Sequence, residues 1–198
     1  MKNLLIILAL VLATLGCSPS KDKQAETPAM DHSMHEQSEK KAPEGAKKPL
    51  SPRTMAMSNV GSNHVHIDYG SPGKRGRMIF GGLVGFGQVW ATGAHHATSI
   101  TFGEDVTIDD ANVPAGKYGL FTIPGEAEWT IIISKDWDMH LADDYTEAND
   151  VVRIQSPVIP LDEVVESLTF VVADMGDGLG NVAISWDLTS VSFDLQNK

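Results

Sequence analysis

Leu168-Thr169-Phe170-Val171-Val172-Ala173, Asp174-Met175-Gly176-Asp177-Gly178-Leu179-Gly180-Asn181 and Val182-Ala183-Ile184-Ser185-Trp186-Asp187 form one continuous passage on which the fold turns. Leu168, Phe170 and Val172 fall on one face of a strand, and Val182, Ile184 and Trp186 on one face of the next. Alternation with period two places one face in a core and the other towards water. The joining segment carries the acids and glycines of a calcium loop. It lacks the bidentate Glu and the ligand spacing of an EF-hand, so it reads as a hairpin connection.

The same texture extends outward in both directions. Strands are expected at 64–69, 88–92, 98–102, 106–109, 117–123, 128–134, 151–155, 168–173, 182–187 and 190–195, separated by Gly, Pro, Asp and Asn. Pro114-Ala115-Gly116 reads as a turn ahead of Lys117. Helix is expected only as single turns at 144–150 and 161–167, with Asp143-Asp144 capping the first. Many short strands with turn signals between them predict an all-β fold. It should be a single antiparallel β-sandwich or barrel-like domain over residues 51–198.

Residues 18–50 differ in kind. They are rich in Lys, Glu, Ser, Pro and Ala and poor in β-branched and aromatic residues. Such a segment buries too little apolar surface to offset the entropy of ordering, and it reads as a disordered polar tether. Ahead of it, Lys2, an apolar run from Leu4 to Leu15 and Gly16-Cys17 have the order of a secretory signal. The run is shorter than the roughly 20 apolar residues of a membrane-spanning helix. Thr14-Leu15-Gly16-Cys17 resembles a bacterial lipobox, although Thr14 stands where Leu is usual. Cys17, the single cysteine, is therefore expected to carry the lipid. Residues 1–17 become a lipoprotein signal peptide, and the domain is expected in the bacterial cell envelope, anchored to a membrane. Stable attachment takes more than one acyl chain. The formal net charge of −11 argues against nucleic acid and anionic lipid surfaces as partners. The basic run Lys74-Arg75-Gly76-Arg77 is short and reads as a loop.

Several chemistries find little support. Gly81-Gly82-Leu83-Val84-Gly85-Phe86-Gly87 has no following Lys-Ser/Thr and no helix signal, so it is not a phosphate-binding loop. There is no Gly-x-Ser-x-Gly elbow. The acidic pairs Asp109-Asp110 and Asp143-Asp144 are sequence neighbours, which usually point apart on a strand or cap a helix.

The histidines are more informative. His64 and His66 share one strand face, with Val65 and Ile67 on the other. His95-His96 falls at a strand-end turn, and His140 follows Trp137-Asp138-Met139 in a loop. Three imidazoles from separate segments would suit copper or zinc and leave an open position. In the tether, Met30, His32, Met34 and His35 gather two thioethers and two imidazoles in six residues. Thioether sulfur favours Cu(I).

Ser51-Pro52-Arg53, Gly76-Arg77-Met78-Ile79-Phe80-Gly81-Gly82-Leu83-Val84 and Val89-Trp90-Ala91-Thr92-Gly93-Ala94 form a distinctive set. Pro114-Ala115-Gly116-Lys117-Tyr118, Phe121-Thr122-Ile123-Pro124-Gly125 and Glu128-Trp129-Thr130 complete it. The set resembles the domain-of-unknown-function family 2911 of bacterial envelope proteins, through essentially the whole domain. That resemblance implies a fold rather than an activity. The commonest family pattern has Arg where Ser71 and Ala91 stand and Asn-Glu where His95-His96 stand. One branch is closer, sharing Val65-His66-Ile67, Thr92-Gly93-Ala94-His95 and His140-Leu141-Ala142-Asp143-Asp144-Tyr145. The resemblance implies a shared site of His66, His95 and His140. His64, His96 and Asp68 are secondary candidates, and Asp144 is a carboxylate ligand or a supporting acceptor.

Three functions follow as expectations. The first is a membrane-anchored lipoprotein that binds copper or zinc through these histidines. The second is a metal-free module for a glycan, peptide or envelope protein, with Trp137, Tyr145 and Trp90 lining a groove. The third is a metal-dependent hydrolase, for which the sequence offers no committed general base, so the balance leans away from an enzyme.

Overall fold

The computed structural model describes residues 49–198. The signal at 1–17 with Cys17, and the tether residues up to 48 with Met30, His32, Met34 and His35, lie outside the described residues. In chain order the strands are β1 (Arg53–Val60), β2 (Asn63–Gly70), β3 (Ser99–Phe102), β4 (Val106–Ile108), β5 (Ala111–Val113), β6 (Gly116–Ile123), β7 (Glu128–Ser134), β8 (Asp150–Pro157), β9 (Ile159–Gly176) and β10 (Leu179–Asn197). A 6-stranded sheet has the order β1-β2-β3-β6-β7-β8, and a 4-stranded sheet the order β5-β4-β10-β9. All pairings between these strands are antiparallel, and neither sheet closes on itself. The domain is a β-sandwich rather than a barrel.

The core lies between the sheets. Val65, Ile67, Ile100, Leu120, Ile131 and Ile133 come from the larger sheet, and Ile108, Leu168, Phe170, Ile184 and Trp186 from the smaller. Alternation does the sorting. In β2 Val65, Ile67 and Tyr69 are buried, whereas His64 is exposed and His66 and Asp68 are partly exposed. The expected hairpin at 174–181 joins β9 to β10. Asp177 (φ +52°) and Gly178 (φ +75°) sit between the paired residues Gly176 and Leu179, the Asp-Gly signature of a tight two-residue turn.

Several expectations about elements are corrected. Residues 161–167 are not helical but belong to β9, which pairs with β10 as far as Ile159 against Ser190. Their acids, Asp162, Glu163 and Glu166, suit an edge strand that must not recruit another sheet. Residues 88–92 are not a strand. Only Trp90 bridges, exchanging backbone bonds with Thr122 at 2.8 and 2.9 Å, and Thr92 (φ +49°) then turns the chain away. The turn within 144–150 shrinks to a 3₁₀ segment at Glu147–Asn149 preceded by Thr146, with no side-chain cap, so Asp143-Asp144 caps nothing. Finally, β1 emerges where no strand was expected. Its pattern rests on Met55, Ala56 and Met57 rather than on β-branched residues, and pairing with β2 supplies what propensity lacks.

The two predicted strands at 182–187 and 190–195 are one strand with a phase change. Burial falls on Val182, Ile184 and Trp186, then on Val191, Phe193 and Leu195. Moving from even to odd positions requires an irregular residue, and the register shifts on both sides of Asp187, whose φ is +57°.

Candidate functional site

Two loops cover part of the outer face of the larger sheet. Phe121 of β6 and Ile132 of β7 point away from the main core, and they pack with Ala91, Ala97 and Met139 into a second small cluster. Arg53 clamps the first loop to the β1–β2 pair. Its Nε meets Asp68 Oδ1 at 2.6 Å, and its Nη1 donates to the His96 carbonyl at 3.3 Å. Asp68, a secondary ligand candidate, is thereby engaged with a guanidinium.

Beyond these loops the outer face of β1 and β2 is exposed among the described residues. Antiparallel register sets Met57 opposite His66, Met55 opposite Asp68 and Asn59 opposite His64. Directly opposed residues share a face with Cβ atoms roughly 4.5–5.5 Å apart, and diagonal neighbours about 7–8 Å. Met55 and Met57 are 56% and 48% exposed, an unusual fate for two thioethers on adjacent outward positions. The His64 and His66 rings have centroids 6.3 Å apart, and His64 Nδ1 is bonded to Asn59 Oδ1 at 2.9 Å. The face thus gathers two sulfurs and two imidazoles. Sequence reasoning identified the imidazoles and missed the sulfurs. The alternating Met-Ala-Met of β1 was the available signal.

The remaining histidines divide between other places. His96 and His140 are paired across an isolated antiparallel bridge, and His140 Nδ1 is bonded to Asp143 Oδ2 at 2.9 Å. His95 (φ +68°) is turned instead towards a cleft, and its carbonyl accepts from the Leu141 N–H at 2.7 Å. Asp144 lies with Trp137 in a separate shallow depression. Among the described residues, no three His, Cys, Asp or Glu side chains are arranged to hold a metal ion. The β2 pleat commits His66 to the open sheet face, and the left-handed backbone at His95 commits that residue elsewhere.

The aromatic candidates also separate. Trp90 packs with the main core, Tyr145 with the second cluster, and Trp137 carries the Lys117 ammonium 4.0 Å above its ring. Tyr145 has a structural partner, donating its hydroxyl to Asp150 Oδ2 at 2.7 Å. Arg153 Nε lies 3.0 Å from the same oxygen. Burial, aided by the bond to Asp150, pushes the Tyr145 phenol up to about 12 from 10.0. Burial likewise raises the Asp150 carboxyl, against the lowering effects of Tyr145 and Arg153. Between the ordinary and raised phenol values the native chain keeps a proton that the unfolded chain has lost. Stability therefore falls as pH climbs from about 10 to about 12. Tyr145→Phe is expected to cost about 1 kcal/mol at neutral pH and to flatten this alkaline decline. Urea midpoints at neutral and alkaline pH measure it, and identical declines in parent and variant would contradict the assignment.

No curated protein and no solved structure matches the chain. A family model described as a protein of unknown function (DUF2911) matches residues 51–195, from just ahead of β1 to near the end of β10. That span takes in both sheets, the open Met/His face and the loops bearing His95 and His140, and the chain belongs to the DUF2911 family.

Proposed function

We propose that this protein is a membrane-anchored envelope lipoprotein whose β domain binds copper(I) on the open face of β1 and β2. The observation that carries the reading is the facing pair Met57 and His66, with Met55 and His64 as neighbours on the same face. Thioether sulfur is a soft donor that selects Cu(I), whereas zinc favours thiolate, imidazole and carboxylate sets. The donor set therefore narrows the metal from copper or zinc to copper. Two or three donors suffice for Cu(I), and facing residues of a strand pair stand close enough for their side chains to reach one ion.

The tether supports the same chemistry. Met30, His32, Met34 and His35 precede β1 in the chain and repeat its donor types. Cys17, placed at the end of the apolar signal, would attach the chain to the membrane, so that tether and sheet face work at the envelope surface.

The test uses the mature chain purified without a polyhistidine tag and titrated with Cu(I) against a chromophoric chelator. Met57→Leu with His66→Gln is expected to weaken Cu(I) binding about tenfold or more when the four tether donors are also replaced. Both positions are partly or largely exposed, so the fold should survive, which circular dichroism checks. An unchanged Cu(I) affinity, or zinc bound as tightly as Cu(I), would end this reading.

A further inference from the structure

A cleft of about 400 Å³ opens where the 72–77, 83–90 and 93–95 segments meet, and its wall includes Trp90 and Trp186. The two indoles stack at 5.9 Å with planes 21° apart. Trp90 keeps its N–H on the Gly93 carbonyl at 3.2 Å, and Trp186 donates to the Glu166 carbonyl at 3.3 Å. The polar atoms of both rings are thus satisfied within the protein; Trp186 is buried behind Trp90, and the half-buried Trp90 ring leaves apolar surface for a ligand. Leu83 and Leu141 add exposed apolar side chains at 50% and 37%. A volume in this range, apolar walls and a few polar groups describe a small-molecule site.

Besides Ser51 and Gln88, the polar groups are the ionisable Arg75, Arg77 and His95. The chain has four arginines. Arg53 pairs with Asp68, and Arg153 with Glu147 and Asp150. Arg75 and Arg77 form no carboxylate pair among the described residues, and both line this cleft. Arg77 is held in place by its own backbone neighbours, donating to the Gly73 carbonyl at 2.6 Å and the Lys74 carbonyl at 3.0 Å. Of the nearby acids, Asp187 pairs with Lys74, and Glu166 accepts from the Arg75 backbone N–H at 2.8 Å rather than from its guanidinium. In a chain of net charge −11, two guanidiniums that form no carboxylate pair among the described residues are a local reversal of sign at an apolar cleft.

The backbone adds an independent mark. Arg75, His95 and Leu141 line the cleft, and all three adopt left-handed φ values, at +50°, +68° and +50°. A leucine in that region is an outlier, and such strain persists where surrounding structure enforces it, commonly at binding sites.

We infer that this cleft binds a small organic anion, with an aromatic or branched apolar body against Trp90, Leu83 and Leu141 and a carboxylate or phosphate on Arg75 and Arg77. Guanidinium forks match either oxyanion. The site is separate from the proposed copper face and stands or falls without it.

Tryptophan fluorescence of the mature chain is titrated with 3-phenylpropanoate, phenyl phosphate and neutral 3-phenylpropanamide. Saturable binding of at least one anion is expected, about tenfold or more tighter than the amide. The stronger anion names the oxyanion class. Arg75→Asn with Arg77→Gln is expected to bring anion affinity down to that of the amide, and Arg75→Lys with Arg77→Lys to recover part of it. Asn tolerates the left-handed backbone at position 75. Arg77 also ties its loop, so Arg75→Asn alone decides if the double variant fails to fold. Failure of both anions to bind, an amide that binds as well as they do, or full affinity in the folded arginine variant each overturns the proposal.

Discussion

Replacing Trp186 by Ala is expected to lower the unfolding free energy by about 3–5 kcal/mol. The side chain is 1% exposed and is the largest of the fully buried ones. It stacks on Trp90 and meets Phe80 edge-on at 6.2 Å. Phe80 in turn packs edge-on against Trp129 at 4.7 Å, so the four rings form one aromatic block between the sheets. The next residue, Asp187, marks the irregularity that sets the phase of β10 and pairs with Lys74, which holds the backbone beside the ring in place. A domain of this size typically has about 5–15 kcal/mol of stability in total, so the loss is a large share of it. Trp186→Phe retains an aromatic ring and should cost less. Urea unfolding measures both, and a loss below about 1 kcal/mol for the alanine variant would show that the block is not a packing centre.

Gly70→Ala is expected to destabilise the domain by about 2–4 kcal/mol and to displace the loop that carries His95. A Cβ at position 70 would lie 2.3 Å from the Ala94 carbonyl oxygen and 3.1 Å from its nitrogen. The obstacle is backbone rather than a flexible side-chain tip. The contact is reciprocal, since a Cβ on Gly93 would meet Thr98 Oγ1 at 2.7 Å and the Gly70 carbonyl at 3.3 Å. The end of β2 and the loop therefore cross backbone to backbone, and no single rotamer change relieves the clash. Gly76→Ala is the matched control. Position 76 has φ +70° but nothing within 4 Å of its Cβ, so it should cost only about the 1–2 kcal/mol of a left-handed alanine. Hydrogen exchange over 88–98 should rise in the Gly70 variant alone. Equal losses and equal exchange in the two variants would show that close approach at Gly70 does not hold the loop.

The legible parts of this protein were those governed by neighbours in sequence. Alternation across Val65, Ile67, Leu168, Phe170, Val182 and Ile184 separated buried from exposed faces. It also placed His64 and His66 together on the outer face. Asp177-Gly178 announced its turn through the backbone freedom of two residues. Where local signals were weak, pairing decided. Residues 161–167 carry no strand alternation and extend because β10 runs beside them and Gly73 bridges Ser167.

The candidate sites show the same division. Composition and spacing found the histidines and the Met/His tether. They did not find Met55 and Met57, because nothing local says that β1 pairs with β2 in the register that sets Met57 against His66. They read Lys74-Arg75-Gly76-Arg77 as a bare loop. Its meaning comes from Trp90 and Trp186, residues distant in the chain that meet it only in the folded domain.

By itself, then, the order of residues determined an all-β domain, its turns and the direction in which each strand's side chains point, since these depend on pleat and steric preference within a few residues. Only the tertiary structure decided which outward side chains become neighbours and which cations go without an acid. Those outcomes depend on strand register and loop packing, which join parts of the chain that carry no local record of one another.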